Sequence, residues 1–308
     1  MKAVYYERHG GAEVLEYGDL PDPALGPDSV LLRVRAAAVN PVDWKGREGY
    51  LEGLIDSRFP VVPGWDVAGV VERTGIAVTE YAPGDEVVGY VREDALARGT
   101  FAELVAANVR FLARKPPSLS WAEAAGLPLA GLAAYQSLVR VARVAAGETV
   151  LVHAAAGGVG SLAVQIAVSL GARVVGTASE HNHDFVRSLG AEPVTYGRGL
   201  DERVRALAPD GVDVLLDAVG KKALRTSKGL LKEGGRLVSV VETSVTDQGG
   251  TYVFARPDTT DLTALCELAA TGRLTVPIAA TFPLEKTAEA HRLSQEGHAR
   301  GKIVVEVD

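Results

Sequence analysis

The spacing of hydrophobic residues changes along the chain. Up to about residue 110, short runs of alternating apolar and polar residues are separated by turn-forming residues, as in LLRVRAAAV at 31–39 and DEVVGYV at 85–91. Alternation with a period of two is typical of strands with one buried face. This part of the chain is therefore predicted to be a mostly β domain, with its first strand in MKAVYY at 1–6.

From Glu148 onward, strand-length apolar runs alternate with segments of helical period. The runs TVLVHA, ARVVGTA, PVTY, VDVLLDAV and RLVSVV are separated by SLAVQIAVSL, HDFVRSL, DERVRALA and a helix that we expect to end near Leu231, followed by a turn at 232–235. This rhythm predicts a parallel sheet covered by helices on both faces. After Pro257 it predicts helices around DLTALCELAATG and EKTAEAHRLSQ and a last strand, KIVVEV.

A boundary between two domains is predicted at residue 120. Pro116 and Pro117 interrupt the pattern, and Ser120 is a suitable N-cap for a helix that begins near Trp121. The domains would be 1–120 and 121–256. Alternation alone leaves open whether 257–308 completes the second domain or returns to the first.

Composition restricts the class of protein. The 308 residues are 47% hydrophobic and carry a net charge of −7, which gives no electrostatic reason to expect a nucleic acid or an anionic membrane as partner. The uncharged stretch 149–172 is broken by glycines, so a strand and a helix explain it better than a membrane span. Cys266 is the only cysteine, which excludes an intramolecular disulfide and fits a cytoplasmic location.

The segment VLVHAAAGGVG at 150–160 predicts a phosphate-binding turn. Its pattern Ala155-x-Gly157-x-x-Gly160 follows a predicted strand and opens a predicted helix. The backbone of Gly157, Gly158, Val159 and Gly160 can then approach a pyrophosphate at the positive end of the helix. The alternative is a glycine turn that only lets the helix pack closely on the strand.

The end of the second strand indicates which dinucleotide binds. Gly176-Thr177-Ala178-Ser179 contains no carboxylate that would repel a 2′-phosphate, and Ser179 has a hydroxyl donor for it, so NADP(H) is favoured over NAD(H). The neighbouring Glu180 is unfavourable. Candidates for the missing positive charge are Arg198, Lys302, His181 and His183.

The motifs together resemble the zinc-independent quinone oxidoreductase branch of the medium-chain dehydrogenase/reductase superfamily. The resemblance is carried, in order along the chain, by AAAVNPVDWKGREG, FPVVPGWDVAGVVE, PGDEVVGY, GTFAELV, LPLAGLAAY, VLVHAAAGGVG, SLGA with TY, GVDVLLDAVG, KEGGRLVSV and RGKIVVEV. It implies a GroES-like β-barrel substrate domain, 1–120 with 257–308, and a Rossmann domain with a doubly wound parallel sheet, 121–256. It also implies a substrate cleft between them and a homodimer.

The chain departs from the zinc-dependent members of that superfamily at two positions. Asn40 stands where they have a cysteine, and Trp65, before Asp66, stands where they have a histidine. Neither residue can act as the thiolate or imidazole ligand of zinc. No metal is therefore expected, and without a metal to stabilise an alkoxide, hydride transfer to an acceptor that spreads its own charge is favoured.

The resemblance also implies which residues form the site. Asn40 would orient the substrate and Tyr50 would donate a proton, while Asp43, Trp44, Thr100 and Phe101 would line the substrate mouth. Alternatively, Asp43 caps a helix and the aromatic side chains only pack. On the cofactor side, the expected contacts beyond the glycine turn are Ser179, Tyr196, Ala218, Val219, Val240, Val241, Phe254 and Lys302. The valines could instead be ordinary core residues.

Three functional hypotheses follow. The first is an NADPH-dependent quinone reductase. The second is an NADPH-dependent reductase of the double bond of enones or enoyl thioesters. The third is a sensor or structural protein that binds NADPH without turnover.

Overall fold

The computed structural model describes residues 1–220, 223–224 and 227–307, and the chain forms two compact units. The first unit comprises Met1–Leu129, Pro257–Thr271 and Val276–Asp308, and the second comprises Ala130–Arg256 and Gly272–Thr275.

The described residues form the following strands and α-helices, each numbered in chain order. The strands are β1 (Lys2–Tyr5), β2 (Glu16–Asp19), β3 (Ser29–Val39), β4 (Asp56–Val62), β5 (Asp66–Thr74), β6 (Glu86–Tyr90), β7 (Ala95–Arg98), β8 (Leu104–Asn108), β9 (Leu112–Arg114), β10 (Thr149–Val152), β11 (Arg173–Ala178), β12 (Glu192–Thr195), β13 (Val212–Asp217), β14 (Leu231–Ser239), β15 (Thr251–Tyr252), β16 (Ile278–Pro283) and β17 (Lys302–Glu306). The α-helices of the described residues are α1 (Pro41–Arg47), α2 (Trp121–Gly126), α3 (Pro128–Tyr135), α4 (Gly158–Ser169), α5 (His183–Ser188), α6 (Leu200–Leu207), α7 (Thr259–Ala270) and α8 (Thr287–Glu296). A π-helical segment, Gln136–Val141, continues α3.

The main sheet of the first unit has the order β16-β17-β3-β5-β6-β9, with β8 also paired to β3. Along β3, Leu32 and Val34 are buried while Arg33 and Arg35 are exposed, so the alternation seen in the sequence separates core from solvent. The C-terminal strand β17 pairs antiparallel with β3, which brings residues 302–306 back into the first unit as the resemblance implies.

The division between the units differs from the predicted boundary at two places. Ser120 caps α2 as predicted, because its Oγ accepts from the backbone N–H of Glu123 at 3.3 Å. However, α2 packs against β3 and β5 and so belongs to the first unit. Thr275 belongs to the second unit, where the amide group of Gln165 accepts from its N–H at 2.8 Å and donates to its C=O at 3.0 Å.

The second unit contains a parallel sheet with the order β12-β11-β10-β13-β14-β15. Numbered from β10, this order is 3-2-1-4-5-6, in which the direction of winding reverses between the first and fourth strands. The carboxyl ends of β10 and β13 therefore flank the position at which such sheets bind ligands.

The turn predicted at 232–235 lies inside β14 as an irregularity. Val212 pairs with Leu231 but Val214 pairs with Arg236, so the intervening residues bulge out of the ladder, with Gly234 at a φ of +72°. The helix expected before Leu231 falls partly on residues outside the described ones, and its last turn is a 3-10 turn, Lys228–Leu230. No helix among the described residues has the length and apolarity required to cross a membrane.

Candidate active site

The glycine turn has the geometry of a pyrophosphate-binding site. β10 ends at Val152 and α4 begins at Gly158, with Gly157 as an N-cap that offers no capping side chain. The backbone N–H groups of the first helical turn have no acceptor within the helix, and the helix dipole makes this end positive. The turn thus presents free donors to an anion, and the residues present fit the diphosphate of a dinucleotide.

Two glycines allow the helix and strands to approach the turn. A Cβ on Gly160 would overlap the carbonyl oxygen of Ala154. A Cβ on Gly176, in β11, would lie 2.7 Å from the Cβ of Ala155. Gly160 belongs to the predicted motif, whereas Gly176 was missed as a packing residue because it looks like part of an ordinary apolar strand.

The turn also contains a backbone conformation that side chains disfavour. Ala154 has a φ of +53°, which costs an L-residue free energy unless its surroundings hold it there. Its N–H donates to Oγ1 of Thr177 at 3.1 Å, and the N–H of Ala155 donates to the Thr177 carbonyl at 2.9 Å. Thr177 was also missed, since a threonine near the end of a strand carries no distinctive sequence signal.

The carboxyl ends of β13 and β14 are held together by one buried carboxylate. Asp217 accepts from the N–H groups of Val219 at 3.0 Å and Gly220 at 2.9 Å, and from the hydroxyl of Ser239 at 2.7 Å. Val219 and Val241, which follow these strands, are 54% and 42% exposed. These two valines are therefore not core residues, and each has an exposed apolar side chain that a nicotinamide ring could contact. Ala218, Val240 and Phe254 are half-buried.

The end of β11 carries a cluster of hydrogen-bonding side chains. The hydroxyl of Ser179 lies 3.1 Å from Nδ2 of Asn182 and 3.3 Å from Nε2 of His181. His183 contacts Thr195 instead, with Nε2 3.4 Å from Oγ1. Ser179, His181 and Asn182 can thus donate to one anionic group, and Asn182 is a member that sequence reasoning missed.

The adenosine end of the site is open to solvent. Tyr196, which follows β12, is 58% exposed. Glu180 and Arg198 are also exposed. An aromatic side chain with this exposure can pack against a ligand, as the resemblance implies for Tyr196.

Lys302 has a different position from the one expected. It is 3% exposed in the first unit, where its Nζ donates to Oδ1 of Asn40 and lies 3.7 Å from Oδ2 of Asp66. A buried ammonium held by these partners has no surface to offer to a 2′-phosphate. The expectation that Lys302 binds the adenosine end of the cofactor is therefore wrong.

Both the oxygen and the nitrogen of the Asn40 amide have hydrogen-bond partners. Besides accepting from Lys302, it donates from Nδ2 to Asp66 at 2.8 Å and to the carbonyl of Ala38 at 3.3 Å. The other oxygen of Asp66 accepts from the backbone N–H of Leu129 at 2.8 Å. The Asn40 amide thus connects the residue after β3 to Asp66 in β5 and Lys302 in β17. Because Asn40 is 2% exposed, its amide cannot orient a substrate directly, contrary to expectation.

Asp43 caps the helix that carries the other candidate residues. Its Oδ2 accepts from the backbone N–H of Asn40 at 2.7 Å, which is the alternative role considered from the sequence. Burial raises the pKa of Asp43 to about 7, and the nearby Asp66 carboxylate adds to the increase. Burial likewise raises the pKa of Asp66 to about 6, although Lys302 opposes this change.

The residues at the former zinc position do not fit a metal ion. The Asn40 amide is fully used, the Asp66 carboxylate is engaged, and the ammonium of Lys302 would repel a cation. Trp65 is buried with its ring 6.0 Å from that of Tyr90. Elsewhere, burial raises the pKa of Cys266 to about 12, which disfavours the thiolate that zinc requires.

The remaining substrate-side candidates differ in their exposure to solvent. Trp44 and Tyr50 are partly or largely exposed, whereas Thr100 and Phe101 are buried. Tyr50 is 70% exposed, and its ring meets that of Trp44 at 6.4 Å in an edge-to-face arrangement. Thr100 and Phe101 have no exposed surface, and Phe101 packs in the core against His291. The expectation that Thr100 and Phe101 line the substrate mouth is therefore wrong, because the segment that follows Gly99 is folded into the interior.

Comparison with known proteins identifies relatives over the whole chain. Residues 26–117 match the model of the alcohol dehydrogenase GroES-like domain, and residues 189–305 match that of the zinc-binding dehydrogenase family. The chain is 39% identical to an NADPH-dependent alkenal/one oxidoreductase of Arabidopsis thaliana, over 99% of this chain and 79% of that protein. It is 32% identical to quinone oxidoreductase QR1 of Triphysaria versicolor, over 99% and 98%.

A comparison with solved structures also finds similarity over the whole chain. A structure described as an NAD-dependent alcohol dehydrogenase superposes with a TM-score of 0.92 at 33% identity, covering all of both chains. These matches confirm the predicted α/β architecture of a GroES-like domain and a parallel-sheet domain, and they support a nicotinamide cofactor for this chain.

Proposed function

Because the chain belongs to the zinc-independent quinone oxidoreductase branch of the medium-chain dehydrogenase/reductase superfamily, we propose that it reduces conjugated carbonyl compounds with NADPH. The chain is an oxidoreductase, and the acceptors we assign to it are alkenals and enones first and quinones second. The observation that carries the choice of conjugated acceptors is the closed network of Lys302, Asn40 and Asp66, which leaves no free metal-binding group at the position of the family's zinc ligands.

The acceptor has to tolerate negative charge on its own. Bound NADPH supplies a hydride from its nicotinamide ring. When the hydride reaches the β-carbon of an enone, the electrons of the double bond move to the carbonyl oxygen, and the α-carbon then takes a proton. Conjugation spreads the charge, so the protein needs mainly to position the two reactants. A simple ketone would instead place the charge on an alkoxide that nothing in this network stabilises.

Three parts of the second unit would bind the cofactor. The free N–H groups at 158–160 would receive the pyrophosphate, and the exposed Val219 and Val241 would contact the nicotinamide ring. Ser179, with His181 and Asn182 close to its hydroxyl, would bind the 2′-phosphate. Three donor side chains and no carboxylate in this cluster support NADPH over NADH, although the exposed Glu180 adjoins it.

In the first unit, Tyr50 is the side chain that could deliver a proton. It is exposed, and its ring is oriented by Trp44. Water can serve the same purpose, since the α-carbon of an enolate and the phenolate oxygen of a hydroquinone monoanion are both basic enough to be protonated from solvent. We therefore assign Tyr50 an assisting role.

The choice of alkenals and enones before quinones rests on the relatives. The relative at 39% identity is named for alkenals and enones, and the one at 32% identity is named for quinones. A homodimer and a cytoplasmic location stay predictions.

The proposal is tested by following NADPH oxidation with one acceptor at a time. An alkenal, 1,4-benzoquinone and an enoyl thioester should be compared with a saturated aldehyde as the control. We expect the alkenal to give the highest kcat/KM and the saturated aldehyde to give no turnover. The highest value with the quinone would make quinones the main substrate class, and binding of NADPH without turnover of any acceptor would favour a non-catalytic protein.

A further inference from the structure

Behind the glycine turn lies a chain of buried polar side chains. Nδ1 of His153 lies 3.2 Å from Oγ1 of Thr177, and its Nε2 lies 2.9 Å from Oγ of Ser227. His153 follows β10, Thr177 lies in β11, and Ser227 lies in the segment between β13 and β14. All three are at most 2% exposed. The three side chains therefore connect separate parts of the second unit beneath the predicted cofactor site.

The direction of these hydrogen bonds follows from one fixed donor. The backbone N–H of Ala154 donates to Oγ1 of Thr177. Among the described residues, the acceptor within reach of the Thr177 hydroxyl proton is Nδ1 of His153. His153 then carries its proton on Nε2 and donates it to Ser227. Burial lowers the pKa of His153, although Asp217 opposes this change, so the neutral imidazole that this direction requires is favoured.

The series of hydrogen bonds through Ser227, His153 and Thr177 ends at Ala154, the residue with the disfavoured backbone conformation. Ala154, at a φ of +53°, is held by the Thr177 side chain, and its carbonyl oxygen lies against Gly160 in the first turn of α4. Release of the Ala154 N–H would let the turn relax toward an ordinary conformation. Such a change would displace the N–H groups that have to meet the pyrophosphate.

We propose that His153 is a positioning residue for the cofactor, which acts through Thr177 to hold Ala154 and thereby the phosphate-binding N–H groups of α4. This inference rests on the assignment of a nicotinamide cofactor to the glycine turn. It assigns the Nδ1 side of the imidazole to cofactor affinity and the Nε2 side to the stability of the fold. His153 itself does not contact the cofactor.

Two isosteric replacements separate the two sides of the ring. Asparagine places an amide oxygen near Nδ1 and keeps the acceptor for Thr177, whereas glutamine places an amide nitrogen near Nε2 and keeps the donor to Ser227. We expect His153→Gln to raise the Kd for NADPH about tenfold and His153→Asn to change it less than about threefold. Equal Kd values for the two variants would overturn the proposal.

The two links of the chain are tested by Thr177→Val and Ser227→Ala. Thr177→Val should raise the Kd about tenfold, Thr177→Ser should restore binding, and Ser227→Ala should lower the melting temperature with less than about a threefold change in Kd. The double variant His153→Gln/Thr177→Val should bind no more weakly than Thr177→Val, because both remove the same support. Additive losses would show that His153 acts separately.

Two further experiments distinguish the positioning role of His153 from a role in fold stability alone. One is a control variant, and the other is a measurement without cofactor. Val204→Ala creates a cavity at a fully buried position of α6 and should lower the melting temperature without changing the Kd. Hydrogen exchange of the amides at 154–160 in cofactor-free protein should be faster in His153→Gln than in His153→Asn. If wild-type protein bound no NADPH, the cofactor assignment would fail, and the exchange rates would still decide whether His153 holds the turn.

Discussion

The ammonium of Lys302 lies 3.7 Å from Oδ2 of Asp66, with the Asn40 amide bonded to both side chains in the buried interior of the first unit. The side chains of Lys302 and Asp66 are 4% and 0% exposed. Taking one partner away leaves a buried charge without compensation, which costs more than the pair contributes.

Lys302→Met should therefore destabilise the protein by about 3–5 kcal/mol. The double variant Lys302→Met/Asp66→Asn should recover part of this loss, because it removes both charges. Urea unfolding measures the change, and Lys286→Met, at an exposed lysine, is the matched control, expected to stay within about 0.5 kcal/mol of wild type. Equal losses in the single and double variants would contradict the ion-pair account.

The buried carboxyl of Asp43 should make stability depend on pH. Burial raises its pKa from 3.8 to about 7 in the folded protein. The folded state then holds the proton more tightly than the unfolded state, so this contribution is full below about pH 4 and is lost as the pH rises to about 7. Between these limits the free energy of unfolding should fall by up to about 1.4 kcal/mol per pH unit on account of Asp43.

Asp43→Asn keeps an acceptor for the Asn40 N–H and removes the titration. The free energy of unfolding of wild type minus that of Asp43→Asn should therefore decrease from pH 5 to pH 7 in urea unfolding experiments. Curves that run parallel over this range would show that Asp43 is already ionised at pH 5. Asp66 also titrates in this range, and its charge raises the pKa of Asp43, so the measured difference reports the coupled pair of carboxyl groups.

Much of the fold could be predicted because its strands and helices have strong local signals. Alternation along β3, the Ser120 cap and the helices that follow β10, β11 and β12 all depend on residues close in sequence. The network of Lys302, Asn40 and Asp66 could not be predicted in the same way. Its members are far apart in the chain, and a lysine in a strand near the C-terminus looks like a surface residue until β17 pairs with β3.

The preference for NADPH is tested at Ser179. Ser179→Asp would place a carboxylate within the cluster formed with His181 and Asn182, where it would repel a 2′-phosphate. The ratio of kcat/KM for NADPH to that for NADH should fall at least about tenfold, the change that about 1.4 kcal/mol of repulsion produces.

Ala146→Asp is the matched control for this experiment. It adds the same charge at an exposed position just before β10. This position lies at the amino-terminal ends of the parallel strands, whereas Ser179 lies at their carboxyl ends. The control should leave the ratio unchanged. If the ratio of kcat/KM for NADPH to that for NADH were equal in both variants and wild type, Ser179 would not be part of the 2′-phosphate site.

Gly160→Ala tests the close approach of α4 to the turn. The added Cβ would overlap the carbonyl oxygen of Ala154, so either the helix or the turn has to move. We expect a rise of at least about tenfold in the Kd for NADPH, measured by nucleotide fluorescence. Gly229→Ala is the control, since a Cβ there meets nothing within 4 Å, and it should bind NADPH like wild type.

The candidate site shows where the sequence was sufficient and where it was not. The glycine turn could be predicted because phosphate binding needs particular residue types at fixed spacing, and the role of Ser179 at a 2′-phosphate stays a prediction. Thr100 and Phe101 were misplaced because a single sequence does not show that the side chains that follow Gly99 turn inward. Thr177 and His153 were missed because they act on the turn from behind, through hydrogen bonds that only the packed strands bring together.

In the proposed reaction, hydride goes to a carbon–carbon double bond conjugated with a carbonyl, without help from a metal. The most direct measurement uses NADPH deuterated at the transferable position, an alkenal as acceptor, and protein treated with a zinc chelator. We expect a saturated aldehyde with deuterium on its β-carbon, formed at the rate of untreated protein. An allylic alcohol with deuterium on the carbonyl carbon, formed only after zinc is restored, would contradict it.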